Sequence, residues 1–390
     1  MIGIRFIVKK GVVMSDLGSD LSRREAFRLL AGGVALSAVP LAPSLAGDGP
    51  GRLTLRDCVA MGPLAMAKSS ATASACFQFL EEQAATLNDP ALRRVVGSLL
   101  ADPVPTLLRR FASDADREQV RRTLIEQRLL AADVTLQQLF PPARNGAAAQ
   151  PFLSAPGSGY ASHHAYPGGL PVHVAFNTRS ALALSDAYRA NAGIALDRDM
   201  VVAAQLLHDL HKPWVFQWTE DGALLPEYTI AGTGAHHILG IAESLVRGVP
   251  AHVVVAQAST HDHPGSPADE AKTVAYLKAG AIIAGRDAVE AGLLAPDGAS
   301  VPLPRRIENF VAHLGDHDWI LAGPVNGWDM AVLKEIARRD YAPAVDDVRT
   351  FNALRNYVFS QLTMIGAHQL YCTGGVAAVR ERVNALVAPV

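Results

Sequence analysis

Thirteen histidines stand in a chain of 390 residues, and most of them fall between His163 and His263. Through that stretch runs a series: His173, the dipeptide His208-Asp209 after 35 residues, His236 after 28 more, His261 after 25 and Asp287 after 26. Each interval is about one helix plus one loop. Successive antiparallel helices of a bundle can then each bring a ligand to the same level, which is how metal sites form in bundle cores. Neighbouring residues on a helix point about 100° apart, so His208 and Asp209 can face two different ions, and a carboxylate has two oxygens with which to bridge them. Two bridged divalent ions can bind a water, depress its pKa to give hydroxide, and neutralise charge on a phosphoryl group. Imidazole and carboxylate suit Mn, Fe, Co, Ni or Zn, so the sequence does not choose the metal.

Other residues could complete such a site. Asp209, Lys212 and His211 are the candidate catalytic groups. Lys212, four positions after His208 on the same helical face, could hold a substrate phosphate oxygen as a point charge, or it is a solvated lysine at the helix end marked by Pro213. His211 and His263 lie next to ligands and could give a proton to a leaving group, since imidazole titrates near neutrality. His163, His164 and Tyr166 precede Gly168-Gly169, whose lack of side chains lets the backbone approach a ligand. Together with His263 they are the candidate substrate contacts. His236 is preferred to His237 because it alone has the HxxxG spacing to Gly240, which leaves His237 an outer or surface contact. His252 is assigned to structure. His313 and His317 have i, i+4 spacing, but Gly315 interrupts them, and the second His-Asp dipeptide, His317-Asp318, is read as coincidence.

The elements that must position these groups are helical. Leu53 to Phe140 is rich in alanine, leucine and arginine at helical spacing. Pro141, Pro142, Asn145, Gly146, Pro151, Pro156, Gly157 and Gly159 then break regular structure. Asp197 or Asp199 can cap a helix through Val201 to Leu210, and Gly193 can end the one before it. Pro250 suits a helix start, and Ser266-Pro267 suits the start of a long helix over Glu270 to Leu294 that carries Asp287. Beyond Pro302 the pattern is helical again, with a loop around Gly323 to Gly327. Few alternating β-branched runs occur, so the expected fold is all-α: a helical bundle with extra N- and C-terminal helices. The expected divisions are a signal at 1–46, a helical region at 47–142, a linker at 143–162, a metal-binding domain at 163–295 and a helical extension at 296–390.

Composition narrows the partners. Apolar residues make up 49% and the net charge is −2, which excludes a disordered chain and disfavours a stable nucleic-acid complex. Ser22, Arg23, Arg24 and Phe27 precede an uncharged run from Leu29 to Leu45 ending in Ser44-Leu45-Ala46, which resembles a twin-arginine export signal cleaved before Gly47. An ordinary secretory signal and an uncleaved membrane anchor compete with it. A start at Met14 would give a more usual signal length. The expected location is the periplasm or outside the cell, with the export machinery as a partner. Cys58, Cys76 and Cys372 form no CxxC. Pairing of Cys58 with Cys76 is weighed against both being small buried hydrophobes, and the second is preferred.

The segment from His163 to His173, HHAYPGGLPVH, resembles the HHAYxGGLxxH segment of HD-domain phosphohydrolases, notably the 3′-to-5′ exoribonuclease type. Leu206 to Lys212, LLHDLHK, resembles that family's LLHDxGK, and His236 to Gly240 its HxxxG. The resemblance covers about a third of the chain, from His163 to Asp287. It implies that His173, His208, Asp209 and Asp287 hold one metal, and that His236, His261 and a bridging Asp209 hold the second. Two departures stand out: His211 replaces a glycine, and Asp262 follows His261 where two-metal relatives often have a second histidine. The GYP signature of cyclic-di-GMP phosphodiesterases is absent. The implied activity is hydrolysis of a nucleotide or other small phosphate ester. The same ligand pattern also serves mixed-valence diiron oxygenases such as myo-inositol oxygenase, and a non-catalytic periplasmic sensor is a third reading.

Overall fold

The computed structural model describes residues 52–141 and 149–390. The signal expected at 1–46 and the first part of the expected linker, 143–148, lie outside the described residues. The described chain is all-α. Its helices are α1 (Leu55–Ala60), α2 (Pro63–Ser69), α3 (Ala71–Ala85), α4 (Pro90–Ala101), α5 (Asp114–Glu126), α6 (Leu136–Leu139), α7 (Gly169–Ala192), α8 (Arg198–Leu207) and α9 (Lys212–Val215). They continue as α10 (Ala235–Val246), α11 (Ala251–Ser259), α12 (Pro267–Ala284), α13 (Glu308–Gly315), α14 (Trp319–Asp340), α15 (Pro343–Asp346), α16 (Val348–Leu362) and α17 (Met364–Leu386). A two-residue antiparallel ladder, β1 (Thr229–Ile230) with β2 (Thr233–Gly234), leads into α10.

Local chemistry sets the ends of the helices around the site. Gly193, at φ 68°, closes α7, and the Asp197 side chain accepts from Met200 N–H to open α8. Ser266 caps α12 with Pro267 in its first turn. That helix is shorter than expected, because Gly285 takes a left-handed φ of 64° and ends it at Ala284. The loop expected at Gly323 to Gly327 is helix instead. Ala322, Val325, Asn326, Asp329, Val332, Leu333 and Ile336 recur on one buried face of α14, and their packing overrides the glycines and Pro324.

One large core runs from Leu80 on α3 to Val301 and fills the space between α3, α7, α8, α10, α11 and α12. A second gathers Leu55, Cys58 and Tyr166 with residues of α14, α16 and α17. The segment after residue 148 that was expected to be a linker is drawn inward: Phe152, Ser154 and Ala155 are buried, and Leu170 N–H donates to Ala155 O at 3.0 Å. Cys58 is buried and Cys76 half-buried, and neither forms a disulfide. No helix among the described residues is long and apolar enough to cross a membrane.

Candidate metal centre

Helix α8 ends at Leu207, so His208 sits at its C-terminal cap and Asp209 in the turn that follows. That turn folds Lys212 back until its Nζ lies 2.5 Å from Asp209 Oδ2, while Nζ also donates to Gly157 O. Both residues are buried. The two oxygens of Asp209 face different partners. Oδ2 lies 3.1 Å from His173 Nε2 on α7 and 3.1 Å from His208 Nε2, whereas Oδ1 lies 3.2 Å from His236 Nε2 on α10.

A second carboxylate closes the first group. Asp316, just past the end of α13, places Oδ1 at 3.2 Å from His173 Nε2 and 3.6 Å from His208 Nε2, and Oδ2 at 3.3 Å from His261 Nδ1. Asp318 stands behind it. Its Oδ1 meets His173 Nδ1 at 3.0 Å, and its Oδ2 meets His164 Nε2 at 2.7 Å. The outer nitrogen of each imidazole is thereby engaged: His173 by Asp318, His208 by the Gln205 carbonyl at 2.7 Å, and His236 by Glu227. Such bonds fix ring orientation and leave Nε2 aimed inward.

Charge is concentrated here. Burial alone would raise the carboxyl pKa values, yet His208 and Lys212 hold Asp209 well below the usual range, and His208, His173 and His261 do the same for Asp316. Burial opposes protonation of His208, but Asp209 and Asp316 outweigh it and raise the ring to about 9. Four carboxylates, Asp209, Asp316, Asp318 and Glu227, are thus gathered around these imidazoles, and Lys212 pairs with Asp209.

Three groups of side chains could each hold a metal ion: His164, His173 and Asp318; His173, His208 and Asp316; and Asp209, His236 and His237. The fit is supported by orphaned atoms. His208 Nε2, His236 Nε2, His261 Nε2 and Asp209 Oδ1 are buried without hydrogen-bond partners. Such atoms are costly in a protein interior unless something binds them. Their separations of 3.1 to 3.6 Å also suit donors around one ion, since bonds of 2.0 to 2.2 Å put tetrahedral ligand atoms about 3.4 Å apart.

A curated relative matches part of the chain. The chain is 35% identical over 116 residues to the dihydroneopterin 2′,3′-cyclic phosphate phosphodiesterase of Methanocaldococcus jannaschii, a match that covers 30% of this chain and 45% of that protein. The chain thus spans less than half of the relative it matches. No family model matches the chain, and no solved structure does.

The structure brings together His173, His208, Asp209, His236 and His261, but not Asp287. Asp287 lies beyond Gly285, exposed, with Oδ1 accepting from Val289 and Glu290 N–H. Asp316 occupies the place expected for it, and Asp318, read from sequence as coincidence, holds His173. The signal for both was the helix-ending run Gly315-Asp316-His317-Asp318 in what was taken for an extension.

Lys212 is neither solvated nor free for a phosphate. His211 turns from the cluster towards Glu243, at 3.8 Å, and packs edge-on against Trp214, so its position does not suit a proton donor. His163 packs at a tilt against His173 with centroids 4.8 Å apart, and His164 and Tyr166 are buried and bonded to each other at 3.1 Å. The glycine pair serves protein contacts instead of a ligand. Gly168 has φ 89°, and a Cβ there would come 2.7 Å from Ala73 Cβ, while one on Gly169 would collide with His164 O. His263 packs on Phe310 and His313. His237 is no surface contact: it stacks on His261 with centroids 3.2 Å apart.

Proposed function

We propose that the chain is a metal-dependent phosphohydrolase or phosphodiesterase of the HD superfamily, cleaving a nucleotide or other small phosphate ester at a dinuclear centre. The observation that carries this reading is the division of Asp209, whose Oδ2 faces His173 Nε2 and His208 Nε2 while its Oδ1 faces His236 Nε2, the His208 and His236 nitrogens being buried without hydrogen-bond partners. His173, His208, Asp209 and Asp316 would hold one ion, and Asp209 with His236 and one further histidine the other. Divalent ions bound there supply a water of lowered pKa and offset charge on the phosphoryl group. The chain's own part is to hold the ligands. Asp318 and Glu227 orient His173 and His236, and Lys212 balances the charge of Asp209.

The phosphodiesterase similarity makes a 2′,3′-cyclic phosphate the first ester to test. Purified protein should release product from one member of a phosphate-ester panel, lose the activity to a chelator, and regain it with Mn, Fe, Co, Ni or Zn. Two bound irons, oxygen consumption with a non-phosphorylated substrate and no action on any ester would replace this reading with the diiron oxygenase. A site that binds metal with no turnover at all would make it a sensor.

We also propose that residues 1–46 direct twin-arginine export to the periplasm, on the strength of Arg23-Arg24 and the uncharged run after them. Export that survives the double change Arg23→Lys with Arg24→Lys would sink this.

A further inference from the structure

We propose that the second ion is bound by Asp209, His236 and His237, with His237 taking the place that the family resemblance gives to His261. This rests on the dinuclear reading above and concerns only which histidine completes it.

The first argument is ring orientation. In His173, His208 and His236 the Nδ1 atom is engaged by an outer acceptor and Nε2 is turned to the cluster, unpartnered in His208 and His236 and met by Asn177 Nδ2 at 3.1 Å in His173. His237 follows the same rule: its Nδ1 bonds Thr233 Oγ1 at 2.6 Å, which frees Nε2. His261 breaks it. Its Nδ1 points at Asp316 Oδ2, 3.3 Å away in the first group, so no outer acceptor fixes the ring, although its Nε2 is buried without a partner. A ring held by an outer acceptor keeps one tautomer and one direction, which is what a ligand requires.

The second argument is proximity. One ligand atom each from Asp209, His236 and His237 lie within 4.8 Å of one another, as do those of His173, His208 and Asp316. The local backbone explains how adjacent residues on a helix can converge. His236 and His237 occupy the first turn of α10, directly after the β1–β2 ladder, and Thr233 of that ladder is the residue that holds His237. Glu227, which precedes the ladder, holds His236. Stacking against His261 at 15° between planes confines the His237 ring further. His261 thus serves as the wall that keeps His237 in place.

The test is ion stoichiometry and affinity, read by elemental analysis and by titration of the metal-stripped protein with cobalt(II), with no activity assay needed. The parent should bind two ions. His237→Ala should keep one and bind the second at least about tenfold more weakly, while His261→Ala keeps both. A parent that binds fewer than two ions would overturn the dinuclear reading itself. A parent with two ions, together with His237→Ala at parental affinity or His261→Ala losing the second ion, would overturn this assignment and leave that reading standing. If His237→Ala does not fold by circular dichroism, the cobalt-loaded parent decides instead. The ring N–H resonance of His237 should move far outside its diamagnetic position, and a signal that stays there overturns the proposal.

Discussion

Asp316 and Asp329 are both buried carboxylates, 5% and 4% exposed, and their surroundings push them in opposite directions. Asp329 lies on the buried face of α14, with His368 3.5 Å away as its one ion-pair neighbour, and burial pushes its carboxyl up to about 7. Asp316 is buried to nearly the same degree, yet His208, His173 and His261 hold it well below the carboxylate range. Burial by itself therefore does not make a site. What separates the two regions is a ring of imidazoles brought in from α7, the end of α8 and the segment after α11, each set to meet negative charge.

The sharpest way to break that contrast is to remove Asp316. Asp316→Ala takes a carboxylate from between three histidines, so the first ion should be lost and esterase activity should fall by more than about a hundredfold, beyond what losing an outer support costs. Equilibrium dialysis and turnover with the best ester check it together. Parental metal content in this variant would return the sixth ligand to some other residue.

Asp318→Asn should act more gently, because His173 keeps its place on α7 and loses only the carboxylate charge at Nδ1. A drop of about 10- to 100-fold in metal affinity is expected, with Glu227→Gln showing the same for His236. An effect on thermal stability alone would make these carboxylates packing groups.

The pH dependence of stability should carry opposite signs in the two regions. Asp209, Asp316 and Glu227 have lowered pKa values in the folded state, so their contribution is complete above the unfolded carboxyl range near 4 and is lost as pH falls below it. Asp329 has a raised pKa, so its folded form is favoured at low pH. Its penalty grows as pH rises from about 4 to about 7 and then stays level, reaching roughly 4 kcal/mol at most for a shift of that size. Asp329→Asn keeps the shape without the charge. It should melt above the parent at pH 8 and together with it near pH 4; equal melting at both would show that Asp329 is ionised without cost.

How much of this was legible in the sequence depended on whether the signal was local. The caps Gly193, Asp197 and Ser266 are fixed by the residues beside them and stand where the sequence puts them. His173, His208, Asp209 and His236 were legible because each sits inside a short motif, and His261 because it continues their spacing. Asp316 carries no such motif and comes to the site only through the packing of α13 against α7 and α11. The stacking of His237 on His261 was not legible, because the two-residue ladder that holds His237 through Thr233 is too short to leave a strand pattern.

Asp287 was misplaced for a different reason: the regular interval after His261 suggested a continuing helix, and the left-handed turn at Gly285 was given too little weight. Its real work is local, capping the turn through Val289 and Glu290 N–H, and that sets the smallest effect expected. Asp287→Ala should cost about 1 kcal/mol of stability, the usual value of a lost cap, and leave ion content and ester turnover unchanged. Chemical denaturation beside metal analysis is enough to check this. Loss of an ion would mean that the chain beyond Gly285 reaches the centre in the working enzyme, and the contrast between Asp316 and Asp287 would collapse.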